Sequence, residues 1–291
     1  MKKQKTSRNR GELLLMVGPT AMWLLLFLLI PLVYVVYISF CQRGIGGVGV
    51  KDIDFSGNIF ENYISIFTNS LNLQSTLQSL LMAFETCAIC LVVGYPFAWF
   101  LCKLPRNVRG IMQLLLILPF WVSALLRLNG WVNIIRETGV LNTVLTDLGI
   151  ITEPLQLHYT DGSVLLGMVY CFFPFMVLPL QTSISKLDHS LIEASMDLGA
   201  KRISTFRRVI LPQTLPGIFA GTIQVFIPSL GAYFVKEIMG GQSVLLGDRI
   251  RDAFGTARNW PLGAAFAVIL IIFTLIVLKM YSKVGSLDDL A

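Results

Sequence analysis

Apolar residues in this chain gather into six long blocks, near residues 13–40, 77–101, 110–127, 162–184, 215–235 and 262–281, with polar stretches between them. Crossing ~30 Å of hydrocarbon takes about 20 mostly apolar residues in a helix, so the pattern predicts six transmembrane helices. The fifth is interrupted toward its far end by Pro228, Gly231 and Lys236, and a break is expected there. Between the fourth and fifth blocks, residues 187–198 have helical spacing, with Leu191, Ala194, Ser195 and Leu198 on one face and Asp188, Glu193 and Asp197 elsewhere. Gly199 ends that run and suits a left-handed cap. A second short, basic helix is predicted over 201–209, with Pro212 and Pro216 leading into the fifth span. Two short helices at an angle make a rigid knob.

Composition agrees with the pattern. Of 291 residues, 55% are hydrophobic and 14% charged, and the mean hydropathy is +0.71, outside the balance of a soluble domain. The chain reads as an all-α integral membrane protein. A basic tail (1–12) precedes a single transmembrane domain (13–284) whose inter-span loop occupies about 185–214, and a short tail (285–291) follows. The first block is too long for a signal-peptide core and lacks a small-x-small cleavage site, so it reads as an uncleaved helix.

Charge sets the expected orientation. With the N-terminus inside, fifteen of the 23 Lys and Arg fall on the cytoplasmic side, among them Lys103, Arg106, Arg109, Lys186, Lys201, Arg202, Arg207, Arg208, Lys279 and Lys283. That bias predicts both termini in the cytoplasm, and the knob with them. The net charge of +6 follows from this sidedness and the N-terminal tail, so no nucleic-acid partner is expected.

Chemistry that would make the chain an enzyme is missing from the sequence. Cys87 and Cys90 form a C-x-x-C inside a span, without a second ligand pair, and read as packing. His158 and His189 are too few and too scattered for a metal site. No G-x-x-x-x-G-K-[ST] phosphate loop occurs. The glycines between Gly44 and Gly49 read as a flexible turn, and Met239-Gly240-Gly241-Gln242-Ser243 echoes an ATPase signature only by chance.

Glu193-Ala194-Ser195, three residues, Gly199, nine residues, then Val209-Ile210-Leu211-Pro212 resembles the cytoplasmic loop of bacterial ABC importer permeases, with Ser195 and Val209 as departures. The resemblance implies a type I importer permease fold with cytoplasmic coupling helices, in which Glu193, Ala194, Ser195, Gly199, Val209, Leu211 and Pro212 form the contact to an ATPase. Arg202, Arg207 and Arg208 would face acidic groups or lipid headgroups. Further segments narrow the likeness: Gly94 to Leu101 before Lys103-Leu104-Pro105, Pro119-Phe120-Trp121, Tyr170 to Pro179, Leu187-Asp188, Met239-Gly240-Gly241 and Trp260-Pro261-Leu262-Gly263-Ala264-Ala265. Together they are similar to the spermidine/putrescine importer permeases of bacterial cytoplasmic membranes. That family implies two ATP-binding subunits carrying ATP and Mg, a second homologous permease, and an extracytoplasmic polyamine-binding protein, with no cofactor on this chain.

A polyamine pathway needs acids to replace water around ammonium groups and aromatic faces to accept the cation. Glu85, midway along the second span, costs about 2.5 to 3.5 kcal/mol on insertion scales if charged, so it is expected to face a pore or a partner; a hydrogen bond between helices or subunits and a protonated bystander remain open. Glu237, with Tyr233 and Phe234, sits where the fifth span breaks, and broken spans line cavities. Asp161, Tyr159, Trp131 and Trp260 are candidates for the outer mouth, an interfacial belt being the other reading of the tryptophans. Arg127 is expected to pair with an acid or snorkel. An importer of an oxyanion, iron chelate or amino acid is the first alternative. A secondary transporter would show repeated halves, and none is evident; a membrane receptor that uses the loop only as a dock is the third.

Overall fold

The structure is a computed structural model and describes residues 10–44, 49–53 and 58–285. Residues 45–48 of the expected Gly44–Gly49 turn, 1–9 of the expected N-terminal tail (1–12) and 286–291 of the expected C-terminal tail (285–291) lie outside the described residues. The chain divides into two compact units, Met1–Asn69 with Ile250–Ile272, and Ser70–Arg249 with Phe273–Ala291.

In the first unit, helix α1 (Arg10–Leu24) continues through a π turn (Leu25–Leu29) into α2 (Ile30–Ser39). Pro31 explains the turn. A proline has no N–H, and its ring collides with the carbonyl four residues back; here Ile30 N–H reaches instead to the Leu25 carbonyl, five back, and the widened turn makes room. From Val17 to Ile30 nearly every large apolar side chain is exposed, as suits a helix surrounded by lipid or a neighbouring helix. Strands β1 (Gln42–Arg43) and β2 (Val50–Lys51) pair antiparallel. Helix α3 (Glu61–Thr68) then closes the end of α2, as Asn62 Nδ2 donates to the carbonyls of Ser39 (3.0 Å) and Cys41 (2.9 Å).

The second unit begins with α4 (Ser70–Lys103), 34 residues and so about 51 Å long. At its end, Arg109 Nε donates to Leu101 O (3.1 Å) and Nη2 to the carbonyls of Cys102 and Leu104, so one guanidinium satisfies the orphan carbonyls of α4 and sets the turn into α5 (Arg106–Ile117). The third span departs from the continuous helix expected over 110–127. It tightens to a 3-10 turn (Leu118–Trp121), becomes extended at Val122 and Ser123, and restarts as α6 (Ala124–Ile135), followed by α7 (Val140–Asp147), with a bend of 97° at the break. Pro119 is the cause, since it cannot donate the bond that would carry an α-helix onward. Five helices are long and apolar enough to cross a membrane among the described residues, or six if the bent pair is one span.

Helix α8 (Asp161–Ile184) is the hub and the most buried span. It packs on α4 and on α11 (Leu211–Leu230). The α8–α11 approach is close because α11 carries glycine at 217 and 221. A Cβ on Gly217 would run into Ser183 Cβ, and one on Gly221 would lie 2.7 Å from Met176 Sδ. Small residues spaced by four let two backbones meet in an apolar solvent, where packing replaces the hydrophobic effect as the driving force. Around this seam lie the buried Cys90, Ala98, Leu101, Met168, Met176, Leu180 and Val225. All five cysteines are free. The fifth span ends at Leu230, as its composition predicts, and α12 (Tyr233–Met239) follows after Gly231 and Ala232. Helix α13 (Leu246–Phe254) starts in this unit, and α14 (Trp260–Gly285) is the last apolar helix.

Candidate functional site

Helix α9 (His189–Asp197) builds the first half of the knob. Asp188 is its N-cap, accepting from Ser190 N–H at 2.9 Å. The hydrogen bonds from Ser190 hold the Asp188 carboxyl below the usual carboxylate range. Its C-terminus closes with Gly199 at φ +82°, Gly199 N–H bonded to Met196 O (2.9 Å) and Ala200 N–H to Ser195 O (3.1 Å). Those two bonds define a Schellman ending and make the reversal at Gly199 stiff.

The second half differs from the separate short helix expected over 201–209. Helix α10 (Arg202–Thr205), a π turn (Phe206–Ile210) and α11 form one continuous helical run, Arg202–Leu230. Pro212 and Pro216 do not stop it. Leu211 N–H bonds to Phe206 O, five residues back, so the widened turn accommodates Pro212 as its counterpart accommodates Pro31. The knob is therefore α9 folded against the extension of a membrane helix.

Side chains lock that elbow. Ser195 Oγ lies 3.1 Å from the Oγ1 of buried Thr205, a direct bond between α9 and α10. Ser195, which departs from the usual Ala, thus gains a partner. Behind it, Phe206 meets the Tyr95 ring edge-on at 5.7 Å, and Tyr95 OH lies 3.0 Å from Thr214 Oγ1, which ties the knob to α4. The outer face stays open: Glu193, Ala194 and Gly199 are exposed, Leu198 is 89% and Ile203 75% exposed, and Arg202, Arg207 and Arg208 surround them. Val209 and Leu211 are half-buried and Pro212 exposed. Two bare aliphatic side chains ringed by charge on a stiff elbow form a surface for docking into a protein groove.

Within the second unit the candidate pathway residues stand on several different elements. Asp161 opens α8 and accepts from Ser243 N (3.0 Å) and Ser243 Oγ (2.5 Å), clamping the loop after α12. Tyr159, at φ +64°, donates its N–H to Met239 O (3.3 Å) and fills the space beside Gly240, whose own φ is +74°. Tyr233 and Phe234 are edge-on at 6.5 Å, and Glu237 is exposed on the same short helix. Glu85 stands apart, half-buried in α4, and no described residue bonds its carboxylate. Trp131 packs edge-on against Tyr170 at 5.7 Å. Trp260 begins α14 and is partly exposed.

Sequence patterns give no sign of a polar lock around α12. Lys236 Nζ sits 2.8 Å from the buried Asp248, whose Oδ2 also accepts from Leu245 N–H (2.9 Å), while Ser79 Oγ accepts from Leu246 N–H (2.6 Å). These partners are far apart in sequence and carry no local signature. Arg127, expected to pair with an acid or snorkel, meets no acid among the described residues; its guanidinium lies 4.3 Å from the Phe120 ring centre and 5.6 Å from that of Tyr170.

Residues 13–283 match the family model described as the binding-protein-dependent transport system inner membrane component. The chain belongs to this family. It is 40% identical over 268 residues to the spermidine/putrescine transport system permease protein PotB of Escherichia coli K12, covering 91% of this chain and 94% of that protein. Its fold is similar to a bacterial ABC transporter involved in the import of the acidic polysaccharide alginate (TM-score 0.72, 17% identity, 94% of this chain and 96% of that one). The same holds for a bacterial alginate ABC transporter in complex with an alginate pentasaccharide-bound periplasmic protein (TM-score 0.72, 15% identity, 93% and 92% covered).

Proposed function

We propose that this chain is one of two pore-forming permeases in an ATP-driven importer of spermidine or putrescine. The observation that carries this reading is the 40% identity with PotB across 91% of the chain. An extracytoplasmic binding protein delivers the polyamine, and two ATP-binding subunits, which hold ATP and Mg, drive the permease pair between outward and inward openings. The alginate transporter's complex with a periplasmic protein supports the first of these partners. Both termini and the α9 elbow lie in the cytoplasm, as the Lys and Arg bias implies.

In this reading the elbow acts as a rigid handle. Leu198 and Ile203 enter a cleft on the ATPase, Glu193, Ala194 and Gly199 line the contact, and the Ser195–Thr205 bond keeps α9 from folding away when the ATPase moves. The helix running unbroken from Arg202 carries that displacement into the α8–α11 seam. Glu85, midway through α4, supplies a carboxylate to an ammonium group in the pore; Glu237 with Tyr233, and Asp161, Trp131 and Trp260, are the other pathway candidates.

The test is uptake of labelled spermidine and putrescine into vesicles bearing the chain with its companion subunits. ATP-dependent uptake is expected, with Glu85→Gln lowering transport while substrate-free ATP hydrolysis persists. Failure of both polyamines to enter or to stimulate hydrolysis would overturn the substrate; uptake unaffected by ATP would overturn the drive.

A further inference from the structure

Arg127 and Trp131 help line a cavity of about 390 Å³ between α5, α6 and α8, walled also by Leu115, Leu116, Leu166, Val169 and Phe173. The Arg127 Nε and Nη1 are shut off from solvent and bond to no described residue. The rings of Phe120 and Tyr170 cover its faces, but a ring face accepts none of the in-plane N–H groups. Unmade hydrogen bonds on a buried guanidinium are costly, and an anion that reached them would remove that cost.

We propose that this cavity holds one anionic phospholipid, its phosphodiester on Arg127 and an acyl chain among Leu115, Leu116, Leu166 and Val169. Three features select that occupant. Like charge excludes a polyamine, and the apolar walls give inorganic phosphate nothing to replace its water. Depth fits as well: α5 and its 3-10 turn, 12 and 4 residues, span about 24 Å at helical rise, most of the ~30 Å hydrocarbon layer. Arg106 and Arg109 begin that run, so Arg127, past the 97° bend, reaches the level of the opposite headgroups, where Trp131 is also at home. At headgroup level a guanidinium meets phosphate oxygens, which its planar fork of donors can pair bidentately. The break at Pro119 thereby gains a purpose independent of the transported substrate, since it turns a side chain from a headgroup-level helix back over an acyl-lined hollow.

The experiment is native mass spectrometry of the chain with its partner subunits, released from nanodiscs of phosphatidylcholine alone or mixed with phosphatidylglycerol. Wild type is expected to retain phosphatidylglycerol about fivefold over phosphatidylcholine, the ratio one lipid-facing cation supplies. Arg127→Gln removes the preference, and Arg127→Lys keeps part of it. Leu115→Trp, which fills the hollow and leaves the charge, lowers retention of both lipids. If Arg127→Gln assembles poorly, the Lys and Trp variants decide. An unchanged preference in a well-assembled Arg127→Gln complex or undiminished retention of both lipids in Leu115→Trp overturns the proposal, as does a partner carboxylate cross-linked to position 127 or binding of inorganic phosphate alone in its place.

Discussion

Gly199 separates two explanations of why a glycine ends the elbow helix. Its φ of +82° places it in the left-handed region, and a Cβ built there meets nothing within 4 Å in this chain. Replacing it by alanine therefore costs only the backbone preference, about 1–2 kcal/mol. Asparagine tolerates the left-handed region, so Gly199→Asn should cost a fraction of that. If conformation is the whole requirement, the alanine variant holds the Schellman ending about 5- to 30-fold less well, and the asparagine variant behaves nearly as wild type. If instead the open space above Gly199 is where an ATPase surface lies flat, the bulkier asparagine is the worse of the two. The assay is polyamine-stimulated ATP hydrolysis by the reconstituted transporter as a function of ATPase concentration, with amide exchange at 196–200 reporting the ending itself. Exchange is expected to quicken in Gly199→Ala and not in Gly199→Asn, with the concentration for half-maximal hydrolysis rising in the same order. Equal loss of hydrolysis in both variants with exchange unchanged would refute the conformational account.

Three further outcomes follow from the packing. Ser195→Ala restores the commoner residue but strands buried Thr205, so the α9–α10 elbow should loosen by about 1 kcal/mol; faster limited proteolysis between residues 195 and 205 would show it, and Ser195→Ala with Thr205→Val should recover part of the loss. Gly221→Leu drives a side chain into Met176 and should cost about 1–3 kcal/mol or more by overpacking, read as a lowered melting midpoint in detergent, whereas Gly110→Leu, with open space around it, should not. Asp248→Ala leaves Lys236 without its partner in a largely buried position and should destabilise by about 3 kcal/mol; pairing it with Lys236→Met should recover much of the loss, and no recovery would show that the Leu245 N–H bond matters more than the charge.

Hydropathy makes the spans legible because twenty apolar residues in a row have few other homes, and the Gly199 offset makes the end of the elbow helix legible because it answers to a left-handed backbone conformation. The 97° bend is not legible in the same way: Pro119 sits inside a block whose summed hydropathy is unaffected by it, so 110–127 reads as one span. Pro212 misleads in the opposite direction. Its chemistry suggests a stop, yet a π turn lets a helix pass through a proline, and nothing in composition distinguishes the two results. The spacing of Gly217 and Gly221 carries the α8–α11 seam in plain view, although only the fold shows which helix it meets. Locks such as Asp161 with Ser243 and Lys236 with Asp248 join residues that only the fold brings together, and Arg127 illustrates the limit of charge reading, since its neighbours are rings.

The π turn at 206–210 fixes the phase of a long helix. At 3.6 residues per turn each residue advances the helical face by about 100°, and a π turn accommodates one residue more than an α-helix would over the same rise. That extra residue sets the angle between two faces of Arg202–Leu230, the one turning Thr205 toward Ser195 and the one turning Gly217 and Gly221 toward α8. Winding the same residues as a regular α-helix would leave every side chain chemically intact, yet it would rotate the elbow by about 100° away from its partner. The irregularity works as a spline between shaft and handle, cut so that torque delivered at one end arrives at the other on the correct tooth.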